Sequence, residues 1–276
     1  MKDIQSERDS RGIEIKKVGI KGLQMPLTIR DRESQFQTTT GVWNAFVQLR
    51  KDARGTHMSR FAEVLFKWKD KPISLEVLDK HVKKEIRRAL NAMKAHLEVS
   101  FEYFIRKKTP SSGLECLLPV GCRFTVSDYH DPVLEVKTPV TTLCPCSKEI
   151  SKHGAHNQRS FVTIQTISRS WIWIEDIVSL AERSASCSIW PLLKRPDEKW
   201  VTEKAYENPR FVEDVVREVT VNLRKEAPTF EITWFKVTCE NEESIHCHNA
   251  YAEYEEKVVL KLWQKVTKDK FQTKLG

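Results

Sequence analysis

Leu97, Val99, Phe101, Tyr103 and Ile105 are each separated by one residue, whereas Leu75, Leu78, Val82, Ile86, Ala89, Leu90 and Met93, just before them, recur every three or four. A period of two puts side chains on one face of a strand, and a period near 3.6 makes a stripe along a helix. One chain that holds both patterns in adjacent segments must pack helices on a sheet. The same reading gives strands over Ile13–Ile29 and Trp43–Arg50, a short helix after Ser59 and a strand over Leu114–Val126. Ser127–Pro132 is a polar break. Beyond it come strands at Val133–Val140 and Arg159–Ile167, helices at Trp173–Ala185 and Phe211–Arg224, and strands at Thr229–Cys239 and Asn249–Val258. Trp190–Pro209, with three prolines, reads as an irregular connection. The order β-β-α-α-β-β occurs twice. It predicts an α+β fold of two tandem ββααββ modules, residues 1–130 and 131–276, with antiparallel sheets and helices packed on one face. Sheet edges left open would be closed by oligomerisation.

Between these strands lies the chemically densest stretch, Thr141–Ser160, which carries Cys144, Cys146, His153 and His156. Thiolate and imidazole are ligands of borderline-soft ions such as Zn²⁺ or Fe²⁺. C-P-C is not the C-x-x-C of a zinc ribbon or a thioredoxin site, and no second cysteine pair is present to close a four-ligand cage. One Cys, one His and a distant carboxylate would leave a coordination position open to water. His153 reads as a surface residue. The carboxylate candidates lie in P-D-E-K-W-V-T-E: Asp197, Glu198 and Glu203.

Composition narrows the classes of function. The 276 residues are 40% hydrophobic, enough for a substantial core. The net charge of +8 is scattered, without a block of like charges, so it fits a solvated surface, a polyphosphate substrate or nucleic acid. No G-x-G-x-x-G or P-loop string occurs. No signal region or long apolar run is present, so a cytoplasmic protein without membrane contact is expected, with its seven cysteines mostly free thiols.

L-C-P-C-S-K-E-I-S followed by G-A-H-N-Q-R-S resembles the signature of GTP cyclohydrolases of the IB type. D-I-Q at Asp3–Gln5, G-T-H-M-S-R-F at Gly55–Phe61, V-T-E-K-A-Y-E-N-P at Val201–Pro209 and E-S-I-H-C-H-N-A-Y at Glu243–Tyr251 extend the resemblance along almost the whole chain. It implies tandem tunnelling-fold modules, a homotetramer with active sites between subunits, GTP as substrate, and a divalent metal, Zn²⁺, Mn²⁺ or Fe²⁺. Cys144 and His156 stand at the family's metal positions, and the resemblance favours Glu198 as third ligand. Glu213 would hold the guanine edge, accepting from N1–H and the 2-amino group. Its bland alternative is an acidic residue suited to a first helical turn.

His57, Arg60 and Arg159 are candidates for the triphosphate, with helix capping by Thr56 or Ser59 the alternative account of the G-T-H-M-S-R stretch. Glu243, His246 and His248 form E-x-x-H-x-H. On a strand the two imidazoles would share a face and serve as proton carriers, beside Cys144 as a catalytic residue. The implied reaction turns GTP and water into 7,8-dihydroneopterin triphosphate and formate, the first step of folate or pterin synthesis. Two rivals remain: the archaeal branch that yields a cyclic phosphate, and a non-catalytic module whose Cys/His loop is structural and whose charge holds nucleic acid.

Overall fold

The alternating segments fold into nine strands: β1 (Ile15–Asp31), β2 (Gln35–Leu49), β3 (Pro72–Ile73), β4 (Ala95–Lys108), β5 (Glu115–Ser127), β6 (Val133–Leu143), β7 (Asn157–Ser168), β8 (Ile232–Glu242) and β9 (Ala250–Lys257). The helices are α1 (Met58–Phe66), α2 (Leu75–Val77), α3 (Lys83–Ala89), α4 (Pro145–Ile150), α5 (Ile174–Ser184), α6 (Arg195–Glu207) and α7 (Val212–Phe230). A π-helical turn, Leu78–Val82, joins α2 to α3. These elements come from a computed structural model that describes residues 4–259, so Asp3 of the D-I-Q stretch lies outside the described residues.

All nine strands belong to one sheet, in the order β3-β1-β2-β4-β5-β6-β7-β8-β9. This corrects the expectation of two tandem ββααββ tunnelling-fold modules. β5 and β6 pair antiparallel from Thr125↔Val133 to Gly121↔Lys137, so the sheet runs through the polar break without interruption. That break is a pinned turn: the Asp128 carboxylate accepts from Ala95 N at 2.9 Å, and Asp128 N donates to Ala95 O at 3.0 Å. The sheet is also mixed, because Thr28 and Ile29 of β1 pair in parallel with Pro72 and Ile73 of β3.

One face carries the core. Val99, Phe124 and Leu134 lie in one row across β4, β5 and β6, and the row continues through Thr166 and Phe235. All five side chains are buried. Phe61 of α1, Val82 and Ile86 cover this face in the first half, and Ile177, Val178, Val215 and Val219 of α5 and α7 cover it in the second. Burying a side chain such as Phe61 or Phe235 contributes roughly 1.5–3 kcal/mol. Ser74 caps the second helical segment, its hydroxyl accepting from Val77 N at 3.2 Å.

α6 replaces most of the predicted irregular connection. Pro196 stands in its first turn, where a missing N–H costs nothing. Asp197 locks that end: its carboxylate accepts from Ser111 N, Ser112 N, Ser112 Oγ and Lys194 N at 2.6–2.9 Å. Beyond Lys137, β6 loses β5 as a neighbour, and Cys187 bridges Thr141 instead. Leu143, Cys187 and Ala205 of α6 form a small second cluster there, which holds α6 against the end of β6 that leads into the Cys/His segment.

Candidate active site

Cys144 ends the run of β6 and caps α4, its Sγ accepting from Ser147 N at 3.4 Å. Pro145 follows at the first helical position, which sets the tight exit from the strand. The chain then returns through Gly154, whose φ of +82° places it in the left-handed region where glycine is favoured. His156 thus comes back beside Cys144: Cys144 N donates to His156 O at 3.1 Å, and Ser147 Oγ accepts from His156 N at 3.2 Å. Both side chains are half-buried.

The ring of His156 is held from behind. Its Nδ1 lies 3.1 Å from Gln158 Oε1 and 3.4 Å from Ser244 Oγ. Gln158 Nε2 donates to Thr142 Oγ1 at 2.9 Å, Thr142 Oγ1 is 2.8 Å from Ser160 Oγ, and Ser160 Oγ donates to Asn241 Oδ1 at 2.7 Å. Asn241 Nδ2 reaches Glu243 Oε1 at 3.5 Å. Thr142 pairs with Gln158 across β6 and β7, and Ser160 with Asn241 across β7 and β8. All four side chains are buried. The Cys/His segment and the Glu243–His248 stretch therefore meet through one polar path.

His246 and His248 do not sit on a strand. They lie in the bend between β8 and β9, exposed, with ring centroids 5.2 Å apart and planes 17° from parallel. Cys146 and Cys247 are exposed thiols, while burial pushes Cys187 up to about 11 and Cys239 up to about 12.

A model of the family described as "GCHY-1: Type I GTP cyclohydrolase folE2" matches residues 1–252. GTP cyclohydrolase FolE2 of Geobacter sulfurreducens is 47% identical over 258 residues, covering 93% of this chain and 98% of the relative. The enzyme of that name from Caldicellulosiruptor bescii is 48% identical over 255 residues, covering 91% and 97%. The chain belongs to the type I GTP cyclohydrolase FolE2 family. At the level of fold alone, this FolE2-family chain is similar to a hyperthermostable mutant of Bacillus sp. TB-90 urate oxidase, with a TM-score of 0.51, 8% identity, and 88% and 98% of the two chains covered.

The other residues singled out in the FolE2-family sequence are spread more widely. Glu198 is exposed in the first turn of α6, next to the consumed Asp197, and Glu203 pairs with Lys199 at 3.8 Å. Glu213, in the first turn of α7, lines a groove with Arg217, Thr220, Arg224 and Tyr254. His57 occupies the N-cap position of α1, and Arg60 donates to Ala89 O at the end of α3 at 3.2 Å. Arg159 pairs with Glu242 on β7–β8 and points away from the face that carries Ser160.

As a metal site, Cys144 and His156 supply a thiol and an imidazole on two joined pieces of backbone, which suits a borderline-soft divalent ion. Among the described residues, however, no three His, Cys, Asp or Glu side chains cluster closely enough to hold one.

Sequence reasoning passed over Thr142, Gln158, Ser160 and Asn241. The available signal was polar side chains at core-facing positions, in phase with Val162, Ile164, Val237 and Cys239. It also passed over Arg210, whose N donates to Leu143 O at 3.0 Å and whose Nε is buried with no hydrogen-bond partner among the described residues.

Proposed function

We propose that this chain, an enzyme of the GTP cyclohydrolase family, hydrolyses the imidazole ring of GTP for folate synthesis around Cys144, His156 and the Glu243–His248 stretch. The observation that carries the reading is the meeting of those two segments through His156, Gln158 and Asn241. Within the family, the signature around Cys144 supports the IB type. The net reaction takes GTP and one water to 7,8-dihydroneopterin triphosphate and formate. Water adds at C8 and the ring C–N bond breaks, a second hydrolysis releases C8 as formate, and ring closure after rearrangement of the ribose returns a water.

Cys144 and His156 are the proposed holders of a divalent ion, with Glu198 as the third ligand. The family resemblance favours Glu198, and Asp197 is consumed by four hydrogen bonds; since no third ligand among the described residues stands close to Cys144 and His156, α6 would have to bring Glu198 to them. A divalent ion there would supply Lewis acidity toward water.

His246 and His248, exposed and adjacent, are suited to proton transfer to the leaving ring nitrogen, with Glu243 beside them. Glu213 is the proposed acceptor for the guanine edge, and His57, Arg60 and Arg159 the proposed contacts of the triphosphate. Assembly as a homotetramer is supported by the outer edge of β9, which pairs with no further strand among the described residues. None of the helices among these residues is long and apolar enough to cross a membrane.

Incubation of the reduced protein with GTP and Mn²⁺, then Zn²⁺, tests the function. Pterin fluorescence after oxidation together with formate supports it, and a cyclic phosphate in the product would assign the archaeal type. A folded protein that gives neither pterin nor formate with any divalent ion would sink it.

A further inference from the structure

The polar path behind His156 has a direction, and the amide of Asn241 sets it. Asn241 turns its Oδ1 toward Ser160 and its Nδ2 toward Glu243, and an amide oxygen only accepts. The Cys239 thiol, which burial keeps protonated, lies 3.8 Å from that same Oδ1 and donates to it. Ser160 must then give its one proton to Asn241 and accept from Thr142. Thr142 in turn accepts from Gln158 Nε2, which leaves Gln158 Oε1 facing the imidazole. An amide oxygen needs a donor, and the ring nitrogen that faces it is Nδ1. Ser244 Oγ, at 3.4 Å, is a second and longer acceptor for the same N–H.

We propose that Gln158, Thr142, Ser160 and Asn241 are positioning residues that hold His156 as its Nδ1–H tautomer, with the Nε2 lone pair turned outward. The catalytic meaning of this device rests on the cyclohydrolase reading of Cys144 and His156; the tautomer itself does not. Packing alone does not call for these groups. Replacing both partners of a buried hydrogen bond by apolar groups of like shape is close to neutral, and the same sheet face carries Val162, Ile164 and Val237 further along. An imidazole that serves as a ligand through one nitrogen is held by a donor bond from the other.

The test uses the full-length, reduced, metal-free protein labelled with ¹⁵N-histidine. Long-range ¹H–¹⁵N correlation at pH 8 reads the tautomer of His156, assigned by the signal lost in His156→Asn. The wild type is expected to show protonated Nδ1. Thr142→Val and Asn241→Leu leave the ring untouched, yet each is expected to move His156 toward the Nε2–H form. Each is also expected to weaken Zn²⁺ binding, by chelator competition, roughly 10- to 100-fold. Ser160→Ala provides a third variant should one of these not fold, with circular dichroism as the control.

A wild type in the Nε2–H form overturns the proposal, and so do folded variants with the wild-type tautomer. Turnover of GTP is scored on the same samples. Protonated Nδ1 that responds to both variants, without pterin or formate, upholds the positioning device and overturns the cyclohydrolase reading. Pterin and formate from a protein with protonated Nε2 do the reverse.

Discussion

Cys144 N donates to His156 O at 3.1 Å, so the two side chains proposed to bind metal are already joined by the backbone before any ion arrives. The pairing of Leu143 with Asn157 continues the β6–β7 ladder right up to that bond. Chelation with EDTA is therefore expected to abolish pterin formation while the far-ultraviolet circular dichroism stays unchanged. Melting temperature should rise with added Zn²⁺ in proportion to the logarithm of its concentration, as binding to the folded state alone requires. A collapse of the dichroism on chelation would show that the loop is not preformed.

Exposed imidazoles can be removed without disturbing packing. His246→Ala and His248→Ala are expected to leave melting temperature unchanged, and the variant that lacks the proton carrier should lose about 10²–10⁴-fold in kcat. Full turnover in both would remove the pair from the mechanism.

The seven thiols should sort by exposure. Iodoacetamide at pH 8, followed by peptide mass spectrometry, is expected to label Cys146 and Cys247 first. Cys122, Cys187 and Cys239 should stay unmodified in the folded protein, because burial raises all three thiols and leaves little thiolate. Added Zn²⁺ is expected to protect Cys144 and to leave Cys247 reactive.

Asp31 gives a stability term with a defined sign. Burial opposes its charge, but bonds from Ser34, Gln37 and Glu33 outweigh it and hold the carboxyl at about 2. A depressed carboxyl stabilises the fold above its unfolded value, and that contribution is lost as pH falls through the folded one. Urea midpoints between pH 4 and pH 2 should therefore fall less steeply in Asp31→Asn than in the wild type. Parallel slopes would assign the acid sensitivity elsewhere.

At Gly19 the β1–β2 pair leaves no room for a side chain: an added Cβ would lie 2.0 Å from Ala45 O. That atom is backbone in a paired strand and cannot move aside cheaply. Gly19→Ala is expected to destabilise by about 1–3 kcal/mol in urea unfolding, the usual range for forced overpacking. A neutral result would mean that the ladder opens locally beside the irregularity between Ile20 and Leu23.

Strands and helices with clear periodicity were readable from residues alone, as the match of Leu97–Ile105 to β4 and of Phe211–Arg224 to α7 shows. α6 escaped because Arg195–Glu207 is largely polar with only a few apolar contacts, and because the prolines of Trp190–Pro209 resembled breakers although Pro196 stands in the first turn of the helix. The first half of β2, Gln35–Thr40, has Phe36 as its one apolar residue, and that side chain is exposed, so no alternation of apolar and polar residues marks the strand. The tandem arrangement failed for a different reason. A polar turn looks alike whether it separates sheets or joins two strands of one, and only the pairing of Thr125 with Val133 decides. In the candidate site, Cys144 and His156 could be seen because they are close in sequence. The path through Gln158, Thr142, Ser160 and Asn241 crosses three strands, and its members declare themselves only once register is known.

The strand order also bears on how the chain assembles. From β1 to β9, every strand except the two-residue β3 lies beside its successor in sequence, and the helices sit mainly in the two long excursions between β2 and β4 and between β7 and β8. Each newly completed strand can thus dock on the one made just before it, and the growing edge travels with the emerging polypeptide. Cys144 is synthesised before its β7 partners exist, and Asn241 joins last of the polar path. The proposed centre would therefore be completed only after nearly the whole sheet has been laid down, so a chain interrupted before β8 would hold the thiol, the imidazole, Gln158, Thr142 and Ser160 but lack Asn241, which ends the path behind the imidazole.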